Sequence, residues 1–354
     1  MKVVIVSGGT GGHIYPGIAI AEEIKRRDPG AEILFIGSKD GLEKELVTKA
    51  GYDLRLIRSR ALLRKISYKA ISAPFVATVG LFQALVLLAR ERPGAIISTG
   101  GYASLPVVLA AKLLRTPIVM HEQNVLPGAV NRFCKRFADK IFISFPESQK
   151  YLTGEVVGNP VRKSIFNADK ESARKAIGLS PDLKVVLIMG GSQGSKKINE
   201  TVISSLYKLP VGIQVLHIVG TRDFGWVSRY LQGKEIRNYF PLPYLHSNIA
   251  DALAAADLVV SRAGATAIAE FLARGLPMIL IPFPYAAEDH QMLNAKAIER
   301  AGAAVIAEDK DLTPERFIGL ITDSTLNYAK MGAAAKVLAR EDSAERIVNY
   351  IYGQ

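Results

Sequence analysis

A ten-residue pattern occurs twice in this chain, 182 positions apart. Val3-Val4-Ile5-Val6-Ser7-Gly8-Gly9-Thr10-Gly11-Gly12 returns as Val185-Val186-Leu187-Ile188-Met189-Gly190-Gly191-Ser192-Gln193-Gly194. Each copy is an unbroken apolar run ending in glycines, the pattern of a parallel strand buried on both faces and closed by a tight turn. Helical patterns follow at Ile14–Arg27 and Lys196–Lys208. Further strands are expected at Glu32–Gly37, Ala95–Ser98, Ile118–His121 and Lys140–Ser144, and in the second half at Gln214–Gly220, Asp257–Ser261, Met278–Pro282 and Ala303–Ala307. This alternation predicts an α/β chain of two doubly wound domains with parallel sheets facing one cleft. Gly158-Asn159-Pro160 breaks the pattern and sets the expected domains at 1–160 and 161–341. Residues 342–354 carry a last amphipathic helix that is free to pack on either domain, back on the first included.

The 354 residues suffice for two ordinary domains, and 49% hydrophobic with 22% charged residues describes a globular chain with a large core. The single cysteine, Cys134, forbids an intrachain disulfide, and the short apolar N-terminal run is not a signal peptide, so an unsecreted protein is expected. The net charge of +12 is one-sided: residues 1–160 hold 22 Lys/Arg against 13 Asp/Glu, whereas 161–354 hold 23 against 20. Such asymmetry points to an anionic partner of the first half, a nucleic acid or an acidic membrane surface.

A glycine turn at a strand end that opens a helix offers backbone N–H groups and a positive dipole end to a phosphate. Two such loops, with Gly100-Gly101-Tyr102 at a third strand end, favour a bound diphosphate over mere tight turns. The ligand is not read as NAD. From Gly9 the dinucleotide fingerprint requires glycine where Ile14 stands, from Gly191 it meets Gln193, and the second strand ends Phe35-Ile36-Gly37-Ser38 without an acid for the ribose. No P-loop sequence occurs.

Six motifs together resemble the bacterial glycosyltransferases of the MurG type. They are Gly8–His13, His121-Glu122-Gln123-Asn124, Gly158-Asn159-Pro160-Val161-Arg162, Gly190–Gly194, Ser261–Glu270, and Pro282-Phe283-Pro284 through His290-Gln291 to Asn294-Ala295. The resemblance implies a GT-B fold of two Rossmann-like domains. It implies an acceptor on the first domain, UDP-N-acetylglucosamine mainly on the second, and transfer to lipid I, a polyprenyl-diphosphate precursor of peptidoglycan, at the cytoplasmic face of the membrane. By the same resemblance Glu270 holds the ribose, and backbone N–H groups from Gly264 through Ala265, Thr266, Ala267 and Ile268 to Ala269 meet the phosphates with the Ser192 hydroxyl. Arg162 lies near the uracil, whose edge is read around Leu245 and His246. Gln291 with neighbouring His290, and Asn124, face the donor sugar, and the Thr10-Gly11-Gly12 turn adds to the donor site.

His13 follows the first glycine loop at a strand's C-terminal end and is the expected general base, with Glu122 as the alternative base or as a group orienting His13 or the acceptor. The alternative for Glu270 taken alone is a solvated first-turn acid complementing the helix dipole, and His217, inside an apolar strand, reads as a core histidine rather than a ligand. Attack opposite UDP inverts the anomeric centre, giving a β(1→4) product. Asp309-Lys310-Asp311 is the one paired-aspartate candidate for a metal, but it runs into Thr313-Pro314-Glu315, a helix N-cap with proline after it. No metal or cofactor is expected beyond the UDP-sugar itself.

From Leu54 to Arg90 the chain carries Arg55, Arg58, Arg60, Arg64, Lys65, Lys69 and Arg90 and no acid. Inside this segment Ala70–Ala89 is 20 residues without a charge, long enough to span a bilayer but interrupted by Pro74, Gly80 and Gln83. A helix half packed on the sheet is expected, with some of Ile66, Phe75, Val79, Leu81, Phe82 and Leu85 meeting a membrane whose anionic headgroups attract the basic residues. Gly100, Gly101 and Tyr102 complete the acceptor side. The rival readings are another two-domain UDP-sugar enzyme (a glycolipid glycosyltransferase or a UDP-N-acetylglucosamine 2-epimerase) and, last, a nucleic-acid-binding module. The segment's sparse aromatics, Tyr68, Phe75 and Phe82, do not favour the module.

Overall fold

The structure is a computed structural model that describes residues 1–39, 41–59, 73–191, 193–244 and 248–353, with only the backbone described for 73–77. The chain divides into two compact units, Met1–Arg162 with Arg340–Gln354, and Lys163–Ala339.

The first unit is built on seven parallel strands: β1 (Lys2–Ser7), β2 (Glu32–Ser38), β3 (Asp53–Ile57), β4 (Ala95–Gly100), β5 (Ile118–Glu122), β6 (Lys140–Ile143) and β7 (Glu155–Val156). Their order across the sheet is β3-β2-β1-β4-β5-β6-β7. The second unit holds β8 (Lys184–Met189), β9 (Ile213–Ile218), β10 (Tyr239–Leu242), β11 (Leu258–Ser261), β12 (Met278–Leu280) and β13 (Ala304–Ile306), in the order β10-β9-β8-β11-β12-β13. In both sheets the order reverses beside the strand that carries the repeated glycine turn, between β1 and β4 and between β8 and β11. Ligands of open α/β sheets bind at such switch points, beyond the strands' C-terminal ends.

Helices cover both faces of the central strands, which is why β1 and β8 read as apolar runs after their first lysine, while β4 is buried throughout although its second half is Ser98-Thr99-Gly100. The helix after the first glycine turn spans Gly11–Arg27, three residues earlier than expected, and tolerates Pro16 within its second turn. Lys25, Arg26 and Arg27 in its last turn complement the helix dipole. The final helix, Ser343–Ile351, belongs to the first unit: Ile347 and Val348 are fully buried in the core formed by Val3, Ile5, Ile18 and Phe142. Arg346 pairs with Glu155 at 2.5 Å, and the Tyr352 hydroxyl donates to Asp28 at 3.1 Å.

The registry between β1 and β4 slips once. Val6 faces Ser98 but Ser7 faces Gly100, so Thr99 is the extra residue of a bulge. A bulge releases a carbonyl from the ladder and re-aims it, and this one lies beside the first glycine turn.

Candidate active site

At the first switch point the glycine turns of β1 and β4 touch. Gly101 has φ +89, and a Cβ there would lie 2.3 Å from the Gly8 carbonyl oxygen, so only glycine allows this approach. A Cβ on Gly100 would lie 3.0 Å from the His13 ring. His13, half-buried in the first turn of Gly11–Arg27, directs Nδ1 at the released Thr99 carbonyl (2.9 Å) and at Oε1 of Gln123 (3.0 Å). A carbonyl only accepts, so Nδ1 carries the ring proton and Nε2 of the neutral ring holds a lone pair. Among the described residues nothing hydrogen-bonds to that Nε2. Tyr102 stands 46% exposed beside the same turn. Glu43, fully buried, accepts from the Gly9 N–H (3.0 Å) and from the Ser38 N–H and hydroxyl, tying the second strand end to this loop.

Glu122 is occupied otherwise. Oε1 accepts from the backbone and side-chain N–H of Asn124 (2.9 and 3.2 Å), and Oε2 from the Gly128 N–H (3.1 Å) and Asn131 Nδ2 (2.8 Å). Four donors fill the acceptor capacity of a carboxylate. The buried side chain therefore staples its own loop, and none of these contacts is to His13. Arg162 lies in the first unit, its guanidinium 4.6 Å from the centre of the Tyr15 ring.

At the second switch point β11 ends at Ser261 and the chain turns through Arg262-Ala263-Gly264 into the helix Ala265–Ala273. The first i→i−4 bond of this helix is from Ile268 to Gly264, so the N–H groups of Ala265, Thr266 and Ala267 precede the ladder at its positive end. Glu270 lies one turn further along and is only 7% exposed. This corrects the reading of Glu270 as a solvated first-turn acid, since no acid stands in the first turn. Gln291 accepts with Oε1 from the N–H of Ala263 (3.2 Å) and of Phe283 (3.0 Å). Its carbonyl is thus fixed at the end of β11 and its amide group is turned the other way. His290 opens the same helix with Nδ1 on the Ala287 carbonyl (2.8 Å).

Arg262, not singled out from sequence, is buried and joins the parts of this end of the sheet. It donates to Ser195 Oγ (2.7 Å) and to the carbonyls of Ile281 and Pro282 (3.2 and 3.3 Å), and pairs with Asp309 at 2.6 Å. Asp309 is thereby committed, and Lys310 pairs with Glu308. Among the described residues no group of three His, Cys, Asp or Glu side chains is arranged to hold a metal. His217 is fully buried as expected of a core histidine, between the Tyr239 hydroxyl (2.9 Å) and Asn199 Oδ1 (3.0 Å).

Arg64, Lys65, Lys69, Ser192, Leu245, His246 and Ile66 lie outside the described residues, as does the Phe75 side chain. In the helix Ala73–Glu91, Phe82 is 68% and Val86 55% exposed, and Val79 is half-buried on the same side. Leu81 and Leu85, also half-buried, pack on the core of the first unit. No helix among the described residues is long and apolar enough to cross a membrane.

The chain matches the glycosyltransferase family 28 N-terminal domain over residues 3–143 and the C-terminal domain of that family over 185–347. It is 39% identical to a UDP-N-acetylglucosamine–N-acetylmuramyl-(pentapeptide) pyrophosphoryl-undecaprenol N-acetylglucosamine transferase of Thermoanaerobacter sp. (strain X514), over 99% of each chain. The protein of the same name from Moorella thermoacetica is also 39% identical, over 99% of this chain and 98% of its own. Among solved structures, MurG of Acinetobacter baumannii aligns with a TM-score of 0.77 at 27% identity, covering 100% of this chain and 99% of that one. A UDP-GlcNAc 2-epimerase from Neisseria meningitidis bound to UDP-GlcNAc aligns at 0.70 with 15% identity over the whole of both chains, a likeness of fold alone. Full-length identity at this level, both family 28 domains in order and two parallel-sheet units with glycine turns at their switch points place this chain in the MurG family of glycosyltransferases.

Proposed function

We propose that this protein is an inverting glycosyltransferase that moves N-acetylglucosamine from UDP-N-acetylglucosamine to the C4 hydroxyl of the N-acetylmuramyl sugar of lipid I, forming lipid II for peptidoglycan. The observation that carries the reading is His13, whose Nδ1–H is spent on Thr99 and Gln123 while Nε2 is left to accept a proton. In the proposed step Nε2 takes the proton of the acceptor hydroxyl as its oxygen bonds to the anomeric carbon. The bond from that carbon to the diphosphate breaks with its electron pair going to UDP, and the α-linked donor becomes a β-linked product.

The leaving diphosphate is stabilised by the N–H groups of Ala265, Thr266 and Ala267, by the helix dipole and by the Ser192 hydroxyl, an electrostatic service that draws on no side-chain metal site. Glu270 accepts from the ribose hydroxyls, and Gln291, its carbonyl engaged, donates its amide hydrogens to the sugar. Arg162, Leu245 and His246 serve the uracil, and Asn124, held by Glu122, serves the donor sugar. Glu122 is thus a scaffold of the site rather than its base. The first unit also takes the acceptor, with Gly100, Gly101 and Tyr102 at the sugar end. Phe75, Val79, Phe82 and the Arg64, Lys65 and Lys69 cluster lie against an anionic membrane surface, which makes the protein peripheral at the cytoplasmic face.

Radiolabelled UDP-N-acetylglucosamine with a short-chain lipid I analogue tests the reaction. Transfer by wild type, a 10²–10⁴-fold loss of kcat in His13→Gln with UDP binding retained, and a roughly 30-fold weaker UDP Kd in Glu270→Ala are expected. Formation of a 2-epimerised sugar nucleotide without acceptor, in place of transfer, would overturn the reading.

A further inference from the structure

The His13 ring is the end of a longer hydrogen-bonded chain whose direction is set from the protein interior. His121, on β5, is fully buried, and its Nε2 faces the carbonyl of Gly158 at 2.9 Å. A carbonyl accepts only, so Nε2 of His121 carries the proton and its Nδ1 is an acceptor. The side-chain nitrogen of Gln123 lies 3.1 Å from that Nδ1 and 2.8 Å from the Thr99 carbonyl, and both partners demand a donor. The Gln123 amide therefore has one allowed orientation, fixed by its neighbours' chemistry. Its oxygen faces Nδ1 of His13, which must donate.

We propose that Gln123 is a positioning residue that carries a fixed hydrogen-bond polarity from buried His121 to His13, holding His13 with its proton on Nδ1 and its lone pair on Nε2. The inference rests on His13 acting as the base and adds the device that keeps it in the competent tautomer. Three further observations fit. Burial lowers the His121 pKa to about 4, so the anchor stays neutral and its polarity does not reverse near neutral pH. The Gly158 carbonyl at the head of the chain also accepts from the Ser343 hydroxyl at 3.0 Å, which ties it to the final helix. Thr99 is available to both His13 and Gln123 because the bulge takes it out of the β1 register. An amide in this position orients the ring without adding charge and reinforces the tautomer that the Thr99 carbonyl also requires.

Long-range ¹H–¹⁵N correlation spectra of the full chain labelled with ¹⁵N-histidine, with His13 assigned through His13→Gln, report each tautomer directly. Wild type is expected to show Nδ1–H on His13 and Nε2–H on His121. In Gln123→Leu the His13 ratio shifts about tenfold toward Nε2–H, and kcat falls about tenfold with the KM for UDP-N-acetylglucosamine unchanged, the worth of one hydrogen bond. Gln123→Glu, whose carboxyl is held protonated by burial against two acceptors, still donates to His121 and Thr99 and accepts from Nδ1 with its other oxygen, and so restores the wild-type tautomer. If Gln123→Leu does not fold, the wild-type and Gln123→Glu spectra decide. An Nε2–H His13 in wild type, or a ratio unmoved in Gln123→Leu, overturns the relay. A shifted ratio with unchanged turnover leaves the relay standing and removes His13 as the base.

Discussion

The contact between the two glycine turns of the first unit makes Gly101→Ala a sharp perturbation. The new Cβ would sit 2.3 Å from the Gly8 carbonyl oxygen, where ordinary contact begins at 3.4 Å, so the loops must part by about 1 Å. A non-glycine residue at φ +89 adds about 1–3 kcal/mol of backbone strain. Gly8 leads directly into the turn that positions His13, and a displacement of about 1 Å at a catalytic group costs on the order of 100-fold in rate. Gly101→Ala should therefore lose about 100-fold in kcat while the sheet stays folded and UDP still binds the second unit. Initial rates with the lipid I analogue, UDP titration calorimetry and thermal melts measure these separately. Gly225→Ala is the control, because a Cβ there meets nothing within 4 Å. Turnover within threefold of wild type in a folded Gly101→Ala protein would refute the reasoning.

Arg262→Met removes the group that joins Ser195, the β12 exit and Asp309, and should destabilise the second unit by about 2–3 kcal/mol, below the range for a fully enclosed pair because Asp309 is 21% exposed; urea melts measure it, and unchanged stability would show the cluster to be decorative. His121 and His217 are held neutral by burial, with pKa values lowered to about 4 and about 3. Below the ordinary value of 6.5 the unfolded chain takes up protons that the folded one refuses, so each unit should lose about 1.4 kcal/mol per pH unit as pH falls from 6.5, a slope ending near pH 4 for His121 and near pH 3 for His217. Stability of wild type against His217→Gln across that window checks the second unit, where the variant should be flatter. Phe82→Ser should weaken binding to anionic vesicles about 10-fold or more with no change in melting temperature, since its ring is exposed in the free protein; flotation assays with and without anionic lipid measure it.

The sequence predicted the interior of each sheet better than its rims. Strands covered on both faces favour apolar residues, so β1 and β8 stand out. The strands β3, β7 and β10 lie at sheet edges, where burial is partial: β3 alternates, β7 has two residues, and β10 contains Pro241, which an edge tolerates. The candidate site was legible where the proposed chemistry sits on motif residues, as with His13 and the Gly264–Ala269 turn. It was not legible where function depends on a neighbouring strand. Thr99 becomes an acceptor for His13 only through a bulge, and Gln123 matters only because β5 lies next to β4. Glu122 was read as a possible base because its four donors come from its own loop's folded shape, which spacing does not reveal. The helix Ala73–Glu91 shows the same limit. With apolar residues on every side, its sequence does not say that Phe82 and Val86 face outward while Leu81 and Leu85 face the core.

The last helix has a consequence for how this chain is made. Ile347 and Val348 complete a core otherwise assembled from residues in the first half of the chain. On the ribosome, the first seven strands emerge long before the helix that seals them, and all of Lys163–Ala339 is synthesised in between. The intervening unit can fold autonomously as it emerges, while the earlier one waits with an apolar face uncovered until Ser343–Ile351 has emerged. Folding of the first unit therefore depends on a helix made after the whole of the second: a chain interrupted before Ser343 leaves the earlier-made unit unfinished and the later-made unit intact.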